Sequence, residues 1–309
     1  MSDNLESYWV KEGTEIICDQ AFYRCYMLKN FYMPNSIIAI GKEAFTDCYR
    51  LSEIKLSENL TDIGVSAFEL CSNLSSVYIS DLVAWCKIEF VDYLSNPLSS
   101  AHHLFLNGEE IKDLVIPKEI TKIRDNTFSG CSELTSVTID DNVTSIGNGA
   151  FSDCTSLTSI TVPGSVTKID GCAFSGCTGL TSVSLPSGLT SIASNMFYGC
   201  SALTSITIPN NVVSINERAF YWCRGLTTVT IPNSVVCIGD NAFDGCASLT
   251  SIDIPNSVTS IVNGAFYGCS SLASINIPNS VTSIGESAFR GCTSLFLETS
   301  EQPQTMENI

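Results

Sequence analysis

A fixed step of 23 residues separates Phe22, Phe45 and Phe68, and the same step runs through Phe128, Phe151, Phe174, Phe197, Phe220, Phe243, Phe266 and Phe289. Each is followed three residues later by Cys, and most are preceded by Ala. A chain that repeats at this interval, holding apolar positions while polar ones drift, stacks one structural turn per repeat. A single turn buries too little surface to offset its ordering entropy, so neighbours must stack. The expected fold is an α/β repeat solenoid, β-rich, with a parallel sheet and short helical or 3₁₀ turns. Its 309 residues form one elongated domain, because a quasi-one-dimensional array escapes the usual size limit on a single core.

The segment 157–177, LTSITVPGSVTKIDGCAFSGC, shows how one turn is built. Leu157, Ile160 and Val162 begin it, and the alternation around Ile160 reads as a strand with one face inward. Pro163 follows, as do Pro34, Pro117, Pro186, Pro209, Pro232, Pro255 and Pro278 in other repeats. Proline has no N–H and cannot continue a hydrogen-bonded ladder, so the chain bends there. Val166 and Ile169 form a second short extended stretch, and Ala173, Phe174 and Cys177 close the coil in a tight turn. Gly176, like Gly130, Gly199, Gly245, Gly268 and Gly291, falls where positive φ is expected.

Eleven of the 15 cysteines occupy the station after Phe, from Cys25 to Cys292; the others are Cys18, Cys86, Cys172 and Cys237. One per turn is a ladder and not a set of pairs. Zinc wants close ligand pairs such as C-x-x-C, and the nearest spacings here are Cys172 to Cys177 and Cys18 to Cys25. The cysteines therefore read as buried free thiols, acting as small hydrophobes. No metal and no cofactor are expected.

The net charge of −17 argues against nucleic acid or an anionic membrane as partner, since both call for clustered Lys and Arg. Pro, Asn, Ser and Gly interrupt every apolar run, so direct membrane insertion is not expected. The polar segment 1–6 shows no basic-then-apolar export signal, and the last residues hold no lipidation cysteine. No G-x-S-x-G elbow, phosphate loop or carboxylate pair stands out, which argues against an enzyme.

The repeated pattern L-x-x-I-x-I-P-x-x-V-x-x-I-G-x-x-A-F-x-G-C resembles the BspA-type branch of the leucine-rich repeats, over almost the whole chain. That resemblance implies a leucine-rich-repeat horseshoe with 23-residue repeats, and a cell-surface or extracellular protein engaged in adhesion or ligand binding. The alternative is a cytoplasmic protein-protein interaction scaffold, favoured by the missing signal and by unpaired thiols, which are commoner in reducing compartments.

The period fails between Phe68 and Phe128. The chain divides accordingly into N-terminal repeats (1–80), an insertion or degenerate repeat (81–112), C-terminal repeats (113–297) and a polar tail or cap (298–309). In the insertion, Leu82, Trp85 and Ile88 have helical spacing, with Ser80 or Asp81 as N-cap. Two strands, His103 to Leu106 and Leu114 to Ile116, are expected around the turn dipeptide Asn107-Gly108. His102 and His103, adjacent on such a strand, face opposite ways, one packed and one exposed. At the N-terminus the first repeat is expected to begin partway, because Val10 and Ile17 lack a preceding Leu-x-x-Ile.

A protein or glycan ligand is expected on the sheet face. Its outward columns are Ser136, Ser159, Ser182, Ser205, Thr228 and Ser251 beside Thr138, Thr161, Ser184, Thr207, Thr230 and Asp253, continued by Ser274 and Asn276. Farther toward the N-terminus the columns read Glu53 and Lys55, then Ser76 and Tyr78. A secondary patch is expected at Arg218, Tyr221, Trp222 and Arg224, since Trp, Tyr and Arg are enriched in binding hot spots.

Overall fold

The computed structural model describes residues 5–297 and 304–305. It is a parallel β-solenoid of about 12 turns with almost no helix. Each coil carries a three-residue strand whose middle side chain points inward. In Ser159–Thr161, Ile160 is buried between two exposed hydroxyls. This strand pairs in parallel with Ser182–Ser184 at a shift of 23 residues, Ser159 opposite Ser182 and Thr161 opposite Ser184. β-Branched residues suit the half-buried pleat, and the identical period puts every inward side chain over its equivalent. A second ladder of two-residue strands, such as Ser145–Ile146 beside Lys168–Ile169, runs along another side of the coil.

The closing corner is a chain of hydrogen-bonded turns, and its bonding explains why no helix forms there. Amides alternate between two destinations. Gln20, Phe22 and Arg24 donate forward to the carbonyls of Lys42, Ala44 and Thr46 in the next coil, while Ala21, Tyr23 and Cys25 donate back three residues within their own. A continuous helix would need every amide for itself. Left-handed residues make the alternation possible: Gly176 sits at φ 71° and Gly245 at φ 72°, with Trp222 at φ 59° in the same station.

Inside the corner the phenylalanines stack along the array. Phe220 lies between Phe197 at 5.5 Å and Phe243 at 5.2 Å, with nearly parallel planes. Nine of the repeat thiols do more than fill space: Cys223 Sγ donates to the carbonyl of Phe197 in the preceding coil at 3.0 Å, and Cys48 to Phe22, Cys71 to Phe45 and each pair from Cys154–Phe128 to Cys292–Phe266 follow the same rule, whereas buried Cys131, just after the insertion, makes no such bond. All 15 cysteines are free. Phe220→Ala is expected to cost roughly 3 to 5 kcal/mol by opening a cavity between stacked coils. Ser205→Ala, outward on the sheet, should stay within about 0.5 kcal/mol. Urea melts of the two variants provide the comparison, and equal midpoints would contradict an inward Phe220 and an outward Ser205.

Three expectations are corrected. The first coil is complete: Leu5, Tyr8 and Val10 take the Leu, Ile and Ile stations, and Ser7–Trp9 pairs with Asn30–Tyr32. Tyr8 substitutes for the aliphatic residue by packing on Phe22 and Phe31. In the insertion, Leu104–Leu106 does turn at Asn107-Gly108, but its return strand is Glu109–Glu110; Asp113–Val115 already belongs to the next coil, beside Ser136–Thr138. Neither histidine is packed in the core. His102 caps a helix at φ 62° and hydrogen-bonds the Gly130 carbonyl through Nδ1 at 3.2 Å, whereas His103 Nδ1 meets Glu110 Oε1 at 2.5 Å.

The rest of the insertion rebuilds a coil by other means. A helix, Leu82–Lys87, is capped by Asp81, whose Oδ1 accepts from the amides of Val83 and Ala84. It buries Trp85, whose Nε1–H donates to the Thr127 carbonyl of the following coil at 3.1 Å. Tyr93–Ser95 and Leu98–Ala101, two short helices, stand at the corner, where Phe68 donates forward to Leu94. Leu104–Leu106 then adds an extra rung beside Ser76–Ile79, Phe105 opposite Tyr78. The tail 298–309 lies outside the described residues except for Gln304–Thr305, which pairs antiparallel with Phe296–Leu297.

Candidate functional site

The sheet face is the first candidate. Ser136, Thr138, Ser159, Thr161, Ser182, Ser184, Ser205, Thr207, Thr228, Thr230, Ser251 and Asp253 are all exposed, each at the first or third position of its strand. Pairing keeps neighbours in line: Ser205 opposite Thr228, Thr207 opposite Thr230, Asp253 opposite Asn276. This half of the face is a hydroxyl surface, rich in donors and acceptors and poor in charge.

The N-terminal half has a different character. Register aligns Trp9 with Tyr32 and Lys55 with Tyr78, and Tyr78 with Phe105. Trp9 and Tyr32 stack at 4.7 Å, and Tyr78 and Phe105 at 4.9 Å. Trp9 and Tyr32 are 66% and 48% exposed, so these rings are displayed and not packed away. Between the two stacks Lys55 stands alone in the column, above a hollow of about 550 Å³ lined by Asn30, Tyr32, Glu53, Tyr78, Ser80 and the Asn107-Gly108 turn. Sequence reasoning reached Lys55 and Tyr78 and missed Trp9, Tyr32 and Phe105. Stepping back by the same period from Lys55 gives Tyr32 and then Trp9. Phe105 carries no such signal, because the insertion breaks the count.

The second candidate lies on the closing corner, on another side of the coil. Tyr221 and Trp222 are 5.5 Å apart; Arg218 lies 5.9 Å from the Tyr221 ring and Arg224 4.9 Å from that of Trp222. The four residues do come together, and Tyr198 from the preceding coil extends them by stacking on Tyr221 at 5.1 Å. Trp222 lies over Gly245 of the next coil, where a Cβ would meet its ring carbon at 2.3 Å. Burial raises the Tyr221 phenol, assisted by nearby Asp244 and opposed by Arg218.

Among the described residues no cluster of His, Cys, Asp or Glu is arranged to hold a metal ion. No helix among them is long and apolar enough to cross a membrane. The buried thiols are poor nucleophiles: burial pushes Cys71, Cys86, Cys131 and Cys177 up to about 12, so they stay protonated at neutral pH.

The model of the BspA type leucine rich repeat region matches in six copies, over residues 1–90, 100–220 and 190–309. No curated protein matches the chain. Among solved structures, a leucine rich cell surface protein from Faecalibacterium prausnitzii is 30% identical, with TM-score 0.61, covering 94% of this chain and 86% of its own. A leucine-rich repeat protein from Bacteroides ovatus is 28% identical, with TM-score 0.50, covering 91% and 81%. One from Eubacterium ventriosum, 19% identical with TM-score 0.60 over 98% and 86%, shares the fold. The family's model spans almost the whole sequence and the coil is built as in these solved relatives: the chain belongs to the BspA-type leucine-rich repeat family.

Proposed function

We propose that this chain is a non-enzymatic adhesion or ligand-binding protein of the cell surface or extracellular space, holding a protein or glycan ligand on its sheet face. The observation that carries the reading is the face itself. Its outward side chains are exposed from coil to coil, and the extended sheet of a solenoid is its usual recognition surface. The name of the Faecalibacterium relative, a cell surface protein, supports the compartment. The corner patch at Arg218, Tyr221, Trp222 and Arg224 is proposed as an accessory contact, its exposed Trp and two arginine-aromatic pairs having hot-spot chemistry.

A second reading, an intracellular interaction scaffold, draws on the free thiols. Protease treatment of intact cells separates the two, since protection there would sink the surface reading. For the face, Thr161→Glu, Thr207→Glu and Thr230→Glu combined should weaken binding to any ligand found on protein and glycan arrays by about tenfold or more, while melting temperature holds. Binding unaffected by the triple variant would remove the hydroxyl half from the site.

A further inference from the structure

The column Trp9–Tyr32–Lys55–Tyr78–Phe105 interrupts an otherwise hydroxylated face, and its geometry is specific. The ring separations, 4.7 Å for Trp9–Tyr32 and 4.9 Å for Tyr78–Phe105, match the spacing between adjacent strands of about 4.8 Å. Each pair therefore stacks straight along the ladder, with ring faces looking up and down the array. Tyr32 and Tyr78 turn their free faces toward each other across the Lys55 rung, about 10 Å apart at two strand spacings. The hollow between them holds about 550 Å³, and its polar lining comes from Asn30, Glu53, Ser80 and Asn107.

We propose that this slot binds an acidic sugar residue, a uronate or sialate unit of a glycan; the proposal rests on the sheet-face reading above and names its ligand class. Aromatic faces suit the C–H face of a sugar ring, as they suit other flat apolar surfaces. The carboxylate is placed by Lys55, the one cation lining the slot. Among the described residues Lys55 has no carboxylate within ion-pair distance, even though Glu53 projects from the same strand and face. Glu53 and the amides of Asn30 and Asn107 supply acceptors and donors for ring hydroxyls. A peptide is disfavoured as occupant. Asn30–Tyr32 pairs with Ser7–Trp9 and Glu53–Lys55 with Ser76–Ile79, these two ladders lie side by side at the slot, and the Asn107-Gly108 turn stands at one end, so no open edge is offered for strand addition.

Titration calorimetry or saturation-transfer NMR with glucuronate, N-acetylneuraminate, glucose and acetate tests the proposal on the full chain. Glucuronate and N-acetylneuraminate should bind roughly tenfold more tightly than glucose, and acetate should not compete at equal concentration. Lys55→Gln should erase the preference for acid over neutral sugar with the melting temperature unchanged, because Lys55 is exposed, and Tyr78→Ala should abolish binding of both while the chain stays folded, losing only its stack on Phe105. Glucuronate binding no better than glucose, acetate competing equally, or Tyr78→Ala leaving binding intact would each overturn it. A protein from the arrays that loses affinity on Tyr78→Ala while no acidic sugar binds would overturn the acidic-sugar assignment and leave the sheet-face reading standing.

Discussion

Raising the pH from about 8 to about 10 in the presence of reductant will unfold this protein, with a stability loss on the order of 10 kcal/mol. The cause is the thiol ladder. Cys71, Cys86, Cys131 and Cys177 are pushed up to about 12 by burial, and burial also raises Cys48, Cys154, Cys200, Cys223 and Cys246. In the unfolded chain the same thiols ionise near pH ~8.5. Over the interval between the two values the unfolded state binds fewer protons than the folded one, so stability falls as pH rises. The contribution is complete below the unfolded value and disappears as pH climbs through the folded values, at about 1.4 kcal/mol per thiol per pH unit. Urea midpoints measured across this range read the loss directly. A midpoint that holds steady to pH ~10 would mean that the thiols are reached by solvent or released from their carbonyl partners.

Trp85→Ala is expected to cost roughly 3 to 5 kcal/mol and to change the form of unfolding as well as its midpoint. Trp85 is 1% exposed and ties the irregular coil to its successor through the Thr127 carbonyl. In a repeat array stability is close to a sum of coil terms and nearest-neighbour interfaces, so weakening one interface uncouples the two blocks it joins. Calorimetry should then resolve two transitions where the parent gives one. Trp85→Phe keeps most of the volume but loses the donor, and its cost should be smaller, about 1 to 3 kcal/mol. A single symmetric transition for Trp85→Ala, merely shifted to lower temperature, would show that the insertion is not the weak joint.

Most of the coil could be read directly because its signals are local and repeated. The bend at Pro163, the inward Ile160 and the positive φ of Gly176 all follow from residue chemistry that recurs. The family's pattern also indicated the sheet face. What escaped depended on substitution or on long-range pairing. Tyr8 in an isoleucine station hid the first coil, and with it the aromatic start of the outward column. The return strand of the hairpin is Glu109–Glu110, polar residues that give no strand signal and are held by pairing to Phe105 and Leu106. His102 and His103 were misplaced for the same reason: a left-handed helix cap and a cross-hairpin contact are both products of the fold around them. The thiol-to-carbonyl bonds were invisible too, since a sequence shows that Cys recurs but not what its hydrogen touches.

The forward-donating corner amides bear on how such a chain lengthens and shortens over generations. Cutting between any two regular coils strands the same few donors on one side and the same carbonyls on the other, whichever boundary is chosen. Gain or loss of a whole coil therefore carries nearly the same penalty anywhere along the regular array, which makes coil number an easily varied trait. A change that is not a whole coil must find new partners for those groups. The stretch from Asp81 to Lys112, with its capped helix, buried indole and added hairpin, shows how much local structure such a repair requires.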